Sequence, residues 1–408
     1  MKNIAILHYS CPPIVGGVEE IVRQQASLFL RHFHPVKVLA GRGGNFLKGA
    51  DITLNPLLDS NNSRIMTLQK NPAKNRQALQ KISREIEHFL RGQLGDFHVL
   101  IAHNVLTMPY NLPLTRALHR LADKGIIRVI SWNHDSPFFY ENHRADFDEK
   151  QWDILRTYNP NIDYIAISES RALEFKKLYA LDAPLKVIPN GIDPYRFFRL
   201  DDHTTRLIRE EKIFNADLIM VHPSRLHPRK NIEKSIEVVH AFHEMGMNAF
   251  LLLTGAYDPH EKSTVHYYKK LNRLAEKLDI RHKVIIVAEH VFKSGQHLSA
   301  DRVIMRDLYL IADILFLPSK QEGFGIPLLE AGMIKLPIAC SDIPPFRSIA
   351  EGDVLYFDIG EEATQIAKRI KTFLDQLEPH RMYRKVINQY VWDNLYERGL
   401  RQFLEGES

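Results

Sequence analysis

Short apolar runs alternate with helix-spaced stretches along the whole chain. The runs are "NIAILHY" (3–9), "VKVLAG" (36–41), "HVLIAHN" (98–104), "IIRVISW" (126–132), "YIAISE" (164–169) and "LKVIPN" (185–190). After a gap come "LIMVHPS" (218–224), "AFLLLTG" (249–255), "KVIIVAE" (283–289), "DILFLPS" (313–319) and "LPIACSD" (336–342). Each predicts a strand. Between them, Val18, Ile21, Val22, Leu28 and Phe29 form one stripe at helical spacing, and Ile232, Ile236, Val239 and Phe242 form another. Strand–helix alternation sustained over this length predicts an α/β architecture with mainly parallel sheets.

The alternation is interrupted twice. The polar, Gly/Asn-rich segment 41–64 is expected to be an irregular surface excursion. At "VIPNGIDPYRFF" (187–198), Asn-Gly and Asp-Pro punctuate the chain before a new strand–helix series begins. We therefore expect one α/β domain over 1–193 and a second over 194–387. No repeat of fixed period and no low-complexity block is present.

Composition narrows the class. A chain of 408 residues exceeds one typical core, in keeping with two domains. Lys plus Arg number 54 against 49 for Asp plus Glu, a net charge of +5. That excess is weak support for nucleic acid, so no nucleic-acid partner is expected; it suits an anionic substrate or occasional contact with an acidic membrane. Cys11 and Cys340 lie far apart and match no metal or redox spacing, which suggests a reducing, cytoplasmic setting. "MKNIAILHYSCPP" reads as a first strand rather than a signal peptide. No run approaches the roughly 18 apolar residues of a transmembrane helix. Peripheral membrane contact and a homo-oligomer both stay open.

The chemistry-bearing residues cluster just after strands, where parallel sheets bind ligands. Gly16 and Gly17 in "PPIVGG" separate the first strand from a helix and would let a phosphate approach the helix N-terminus, although a plain tight turn explains them too. No dinucleotide or P-loop glycine pattern follows a strand. His134, with Asn133 and Asp135 in "SWNHDSP", sits in a polar setting after the fourth run. In "SRLHPRKN", Arg225 and Lys230 would suit a pyrophosphate, one by bidentate contact and one as a point charge. Asn231 is placed to cap the following helix, and Arg229 reads as solvated. "DFD" at 146–148 lies in the acidic, helical-looking stretch "RADFDEKQWDIL" and reads as a solvated face, so no metal site is assigned.

The segment "EGFGIPLLEAG" (322–332) holds Glu322 and Glu330 on either side of a helix start. Pro327 suits the first turn of that helix. The amides from Phe324 to Leu328, including Gly325 and Ile326, would then point outward to bind phosphate oxygens or sugar hydroxyls. Glu330, about one turn in, can accept from a diol. Its other reading is simple attraction to the positive helix end.

Together "GGVEEIVRQQASLFL", "NHD", "VIPNGID", "SRLHPRKN", "ADILFLPSKQEGFGIPLLEA" and "LPIACSDIPPFRSI" resemble the retaining glycosyltransferases of family 4 over nearly the whole chain. The resemblance implies a GT-B fold: two facing Rossmann-like domains with an interdomain cleft. By it, Gly16 and Gly17 face donor phosphates and acceptor, and His134 contacts the transferred sugar on the acceptor side with Asn133 and Asp135. Arg225 and Lys230 neutralise the donor pyrophosphate. Glu322 holds sugar hydroxyls beside the Phe324, Gly325 and Ile326 amides, and Glu330 holds the ribose. The family glycine missing after Gly255 leaves contacts near Gly255 and Tyr257 open. The final segment, about 388–408, is implied to pack back on the first domain.

The implied reaction moves a hexosyl group, mannose or glucose, from GDP-mannose, UDP-glucose or ADP-glucose to a hydroxyl, without metal or cofactor and without a protein nucleophile. A small soluble sugar or phosphorylated polyol is the expected acceptor. The alternatives are a membrane-peripheral enzyme acting on a lipid-linked or polysaccharide acceptor, a GT-B nucleotide-sugar epimerase or hydrolase, and a catalytically silent sugar-binding protein. Product analysis without added acceptor separates transferase from epimerase.

Overall fold

The computed structural model describes residues 1–255 and 263–406, and within them the chain divides into two compact units. One comprises residues 1–193 together with the chain from Tyr390 onward, the other Pro194–Gln389. Tyr257 lies outside the described residues.

The first unit is built on seven strands: β1 (Ile4–Ser10), β2 (Val36–Arg42), β3 (Asp51–Leu54), β4 (Val99–His103), β5 (Arg128–Asn133), β6 (Ile162–Ala166) and β7 (Lys186–Val187). Their order is β3-β2-β1-β4-β5-β6-β7, and every pairing is parallel. Parallel strands need crossover helices, which cover both faces of the sheet and explain the unbroken apolar runs. In β1 the alternation is visible residue by residue. Ala5, Leu7 and Tyr9 join the core formed with Ile82, Ile86 and Leu118. Ile4 and Ile6 face the opposite layer, with Val22, Ala26 and Phe29 of helix α1 (Gly17–Arg31).

That second layer is completed by the far end of the chain. Ile192 bridges to Val391 in parallel, and Ile192 N donates to Tyr390 O at 2.7 Å. Trp392 is fully buried, and its indole N–H donates to Gln24 Oε1 at 2.7 Å. It lies directly on Gly191, where a Cβ would come within 2.6 Å of the ring. From Trp392 to Glu405 the chain is helical, with a π-turn at Tyr396–Leu400.

The second unit carries six strands: β8 (Leu218–His222), β9 (Ala249–Leu253), β10 (Val284–Ile286), β11 (Ile314–Leu317), β12 (Ile338–Ser341) and β13 (Leu355–Phe357). Their order, β10-β9-β8-β11-β12-β13, repeats the first six positions of the other sheet, again all parallel. The stripe Ile232, Ile236, Val239 and Phe242 is fully buried against this sheet in the helix Ile232–Glu244.

Several expectations need correction. The segment 41–64 is not irregular throughout: it contains the edge strand β3 and a turn at Pro56–Leu58, and ends in the helix Ser63–Gln69. "RADFDEKQWDIL" folds as two short 3₁₀ turns, Ala145–Asp148 and Lys150–Leu155, not as a solvated helical face. Phe147, Trp152 and Leu155 are buried there with Leu112, while Asp146 and Asp148 pair with Arg144 and with His143 and Arg156. Asn231 precedes its helix but adopts φ +54° and makes no side-chain cap; its carbonyl accepts from Lys234 N at 3.0 Å instead. Among the described residues, no helix is long and apolar enough to cross a membrane.

Candidate functional site

Each sheet reverses its winding beside its first strand, between β1 and β4 in one unit and between β8 and β11 in the other. Loops diverge at such a point and leave a crevice at the carboxyl ends of the strands. Both crevices are lined by interacting polar side chains.

In the second unit, β8 runs into a loop that closes in the 3₁₀ turn Pro228–Lys230, and β11 runs into Ser319–Gly325. The two loops are tied together at Glu322. Its carboxylate accepts from the Lys230 ammonium, from Arg229 Nη1 at 3.2 Å and from Ser319 Oγ at 2.8 Å. Arg229 Nη1 also donates to Gln321 O at 3.2 Å, and Lys320 N donates to Arg229 O at 2.8 Å. Arg229, read from sequence as solvated, is thus a member of the cluster. The His227 ring sets the turn by accepting from Arg229 N at 3.1 Å. Arg225 stands exposed on the same loop.

Below Lys230, the ring of His222 is fully buried, with Nδ1 2.9 Å from Ser235 Oγ. Burial, and then the Lys230 charge, push this imidazole down to about 3, so it is neutral at physiological pH.

Beyond Glu322 the chain turns at Gly325 into the helix Ile326–Met333. Gly325 has φ +125°, and a Cβ there would sit 3.1 Å from the ring of Phe346, so glycine is required for both reasons. Phe324 and Ile326 are exposed. The expected row of open amides is shorter than its sequence range: Pro327 has no N–H, and Leu328 N donates to Gly325 O at 2.9 Å. Gly325 at the N-cap and Ile326 at the first helical position carry the remaining amides that a helix start leaves without an intrahelical partner. Glu330 lies on the same helix, where the Tyr309 hydroxyl donates to its Oε2 at 2.7 Å. Gly255, with φ +67°, donates its N–H to Ser224 O at 3.0 Å and so closes the neighbouring loop.

In the first unit, three histidines lie at or near the carboxyl ends of adjacent strands. His8 sits two residues before the end of β1, His103 closes β4 and His134 follows β5. His8 Nδ1 donates to His103 O at 2.7 Å. A chain of four further bonds runs Trp132 Nε1–Asn190 Oδ1 (3.1 Å), Asn190 Nδ2–His134 Nδ1 (3.3 Å), His134 Nε2–His103 Nδ1 (3.2 Å) and His103 Nε2–Gln25 Oε1 (3.0 Å). An indole nitrogen can only donate, and that fixes the direction of every later bond. Asn190 accepts from Trp132 and donates to His134. A neutral His134 then carries its proton on Nε2 and passes it towards His103, which donates to Gln25. Burial holds all three imidazoles below their ordinary range, His134 to about 3. Both ring nitrogens of His134 are therefore occupied.

The neighbours of His134 divide. Asn104, at φ +53°, accepts from the main-chain N–H groups of His134 and Asp135 at 3.2 and 3.0 Å and fixes the loop. Asp135 accepts from Tyr140 OH at 3.0 Å and pairs with Arg171 at 3.2 Å. Asn133 presents nothing outward: it is fully buried and its amide bonds only to Ser131, which makes it a packing residue. Gly16 and Gly17 open α1 beside this cluster. At Gly16 a Cβ would meet Glu19 Oε2 at 2.1 Å, whereas at Gly17 nothing lies within 4 Å. Glu19 accepts from Ser10 Oγ at 2.5 Å and stands 4.0 Å from His8. His8, Glu19, Gln25, His103, Asn104 and Asn190 were not singled out from sequence. The one available signal was a histidine ending each of "ILH", "IAH" and "WNH".

Two six-to-seven-stranded parallel domains wound alike, each with a polar crevice at its switch point, form the GT-B architecture of glycosyltransferases. A family model described as Glycosyltransferase Family 4 matches residues 15–196, and one described as Glycosyl transferases group 1 matches residues 204–389. The chain belongs to glycosyltransferase family 4. It is similar to a mannosylglucosylglycerate synthase of Petrotoga mobilis, 26% identical over 278 residues, which is 62% of either chain. It is also similar to a mannosylglucosylglycerate synthase of Thermotoga maritima, 24% identical over 389 residues, covering 88% of this chain and 85% of that protein. A shorter stretch of 89 residues is 38% identical to the serotype-specific mannosyltransferase WbdA of Escherichia coli, covering 22% of this chain and 11% of that one. The match thus spans less than two thirds of the Petrotoga protein's length.

Proposed function

We propose that this chain transfers a hexosyl group, mannose first, from a nucleoside diphosphate sugar to a hydroxyl of a small sugar-derived acceptor, with retention of anomeric configuration. The observation that carries the reading is the Glu322 cluster. A carboxylate, two cations and a helix start with outward amides share one crevice. The reaction separates charge: the sugar becomes cationic as negative charge grows on the departing phosphate. Lys230, Arg229, Arg225 and the Gly325 and Ile326 amides would stabilise the phosphate, while Glu322 accepts from sugar hydroxyls. Glu330, steadied by Tyr309, would hold the ribose. The names of the relatives, two mannosylglucosylglycerate synthases and a mannosyltransferase, favour a mannose nucleotide and a small acid-bearing acceptor.

His134 has a defined part in this reading. Neutral, with both ring nitrogens bonded, it positions the acceptor side rather than acting as a base. That suits a mechanism in which the leaving phosphate takes the acceptor proton.

The test is a thermal-shift screen of GDP-mannose, UDP-glucose and ADP-glucose, because a bound donor raises stability by mass action. One donor should raise Tm, and Glu322→Ala, Glu330→Ala or Lys230→Ala should each lower transfer at least about tenfold. No shift with any nucleotide sugar, or three variants with wild-type kinetics, refutes the proposal.

A further inference from the structure

A cavity of about 490 Å³ opens in the first domain among the loops that follow β3, β4 and β5. That is within the size range of small-molecule sites, roughly 300–1,000 Å³. Tyr110, Phe147 and Trp152 supply aromatic walls, Ser60 a hydroxyl, and Lys70 and Arg144 two cations; no carboxylate lines it. The cavity is built rather than incidental. Gln69, buried in its wall, donates to Tyr110 O at 3.2 Å and accepts from Leu112 N at 2.5 Å, which joins two of the loops. Phe147 meets Trp152 edge to face at 5.3 Å, and Arg144 lies over the Phe147 ring at 4.9 Å. The indole N–H of Trp152 has no hydrogen-bond partner among the described residues.

The two cations differ. Arg144 is clamped by Asp146 through bonds of 3.0 and 2.6 Å, which offsets its charge. Lys70 is exposed and makes no ion pair among the described residues. It is the unbalanced charge of the cavity. Aromatic faces suit the C–H faces of a sugar ring, and an unbalanced ammonium suits an anion. The Tyr110 wall also packs edge-on against Tyr9 at 5.7 Å, and the Tyr9 ring lies 5.1 Å from that of His8, so two ring contacts connect the cavity wall to the histidine cluster.

We infer that this cavity holds the non-reacting end of the acceptor, and that this end is a sugar unit bearing an anion, carboxylate or phosphate. The inference rests on the transferase reading above and names its acceptor class. It assigns Lys70, which the family resemblance does not touch, as the residue that selects for charge.

Isothermal titration of the full chain with two matched pairs tests it: glucosylglycerate against glucosylglycerol, and glucose 6-phosphate against glucose. The anionic member of at least one pair should bind about tenfold or more tightly than its neutral partner, and the pair that shows it distinguishes carboxylate from phosphate. Lys70→Gln should erase the preference while leaving the neutral probe unchanged, and Lys70→Glu should reverse it. Equal affinities within both pairs, binding of none of the four, or a preference that survives Lys70→Gln would overturn the inference. The donor screen on the same samples separates the two ideas. A charge preference without any donor-induced shift sinks the transferase reading alone; a donor shift without a charge preference sinks the cavity assignment alone.

Discussion

Replacing Glu322 by glutamine should move two affinities in opposite directions. In the structure this carboxylate is about 12% exposed and is engaged by Lys230, about 15% exposed, by Arg229 and by Ser319. At about 4 Å, opposite charges attract by roughly 4 kcal/mol at an effective dielectric of about 20. Desolvation and the 43% exposure of Arg229 reduce the net interaction to about 1–2 kcal/mol. A diphosphate entering the crevice competes with Glu322 for those cations. Glutamine keeps an acceptor for Ser319 but removes the competing charge, so GDP or UDP alone should bind about tenfold tighter, close to 1.4 kcal/mol. The corresponding nucleotide sugar should bind more weakly than to wild type, because the charged acceptor for its hydroxyls, worth about 1.5–3 kcal/mol, is lost as well and outweighs that gain. Titrations of nucleotide and nucleotide sugar against wild type and Glu322→Gln read both effects. If the variant binds the bare nucleotide more weakly, or shifts both ligands equally, Glu322 does not stand between the cations and the sugar.

Three further outcomes follow from the geometry. Gly325→Ala must take φ +125° and press a methyl on Phe346, so the second domain should lose about 1–3 kcal/mol, read as a lower urea midpoint. Gly191→Ala drives a methyl into the buried Trp392 ring; the first domain should melt earlier, and protease should cut the C-terminal segment sooner than in wild type. The third concerns acid. His119 and His134 are pushed down by burial to about 4 and about 3, below the value of about 6.5 for an unfolded histidine. Below pH 6.5 the unfolded chain takes up protons that the folded one refuses, so stability falls with falling pH and levels off near the folded values. At pH 5 each residue removes up to about 2 kcal/mol relative to pH 7. A first-domain urea midpoint unchanged between pH 7 and pH 5 would refute the buried neutral imidazoles.

The strands that were legible are those buried on both faces, since "IAILHYS" or "AFLLL" has no polar alternative to its place in a covered parallel sheet. β3 and β13 escaped notice. Each is an edge strand of four or three residues with partly exposed side chains, so neither length nor pattern marks it. At the second domain's crevice, Glu322 and Lys230 were visible because their flanking helices announce the turns. Arg229 is exposed, as expected, but its pairing with Glu322 was not legible, because its direction depends on a 3₁₀ turn that adjacent sequence does not specify. The histidine chain was hidden for a different reason. Its members lie 31, 78 and 95 residues apart and meet only once the strand order is known. Asn133 shows the reverse failure: its polar neighbours suggested a site, but strand alternation turns it inward.

The return of the chain through Trp392 has a bearing on how the protein is made. One face of the first sheet is sealed by Trp392, Leu395, Tyr396, Leu400 and Leu404, which share a core with Ile4, Val22 and Phe29. On a ribosome these late residues emerge after Pro194–Gln389 has been synthesised. Of the two domains, the earlier to leave the exit tunnel is therefore the later to close, and until Tyr390 onward has been made it shows an apolar face to solvent. The second domain, contiguous in sequence, can finish folding first. Nascent chains stalled before residue 390 should recruit chaperones through that uncovered face, and the helical turns from Trp392 to Glu405 release them.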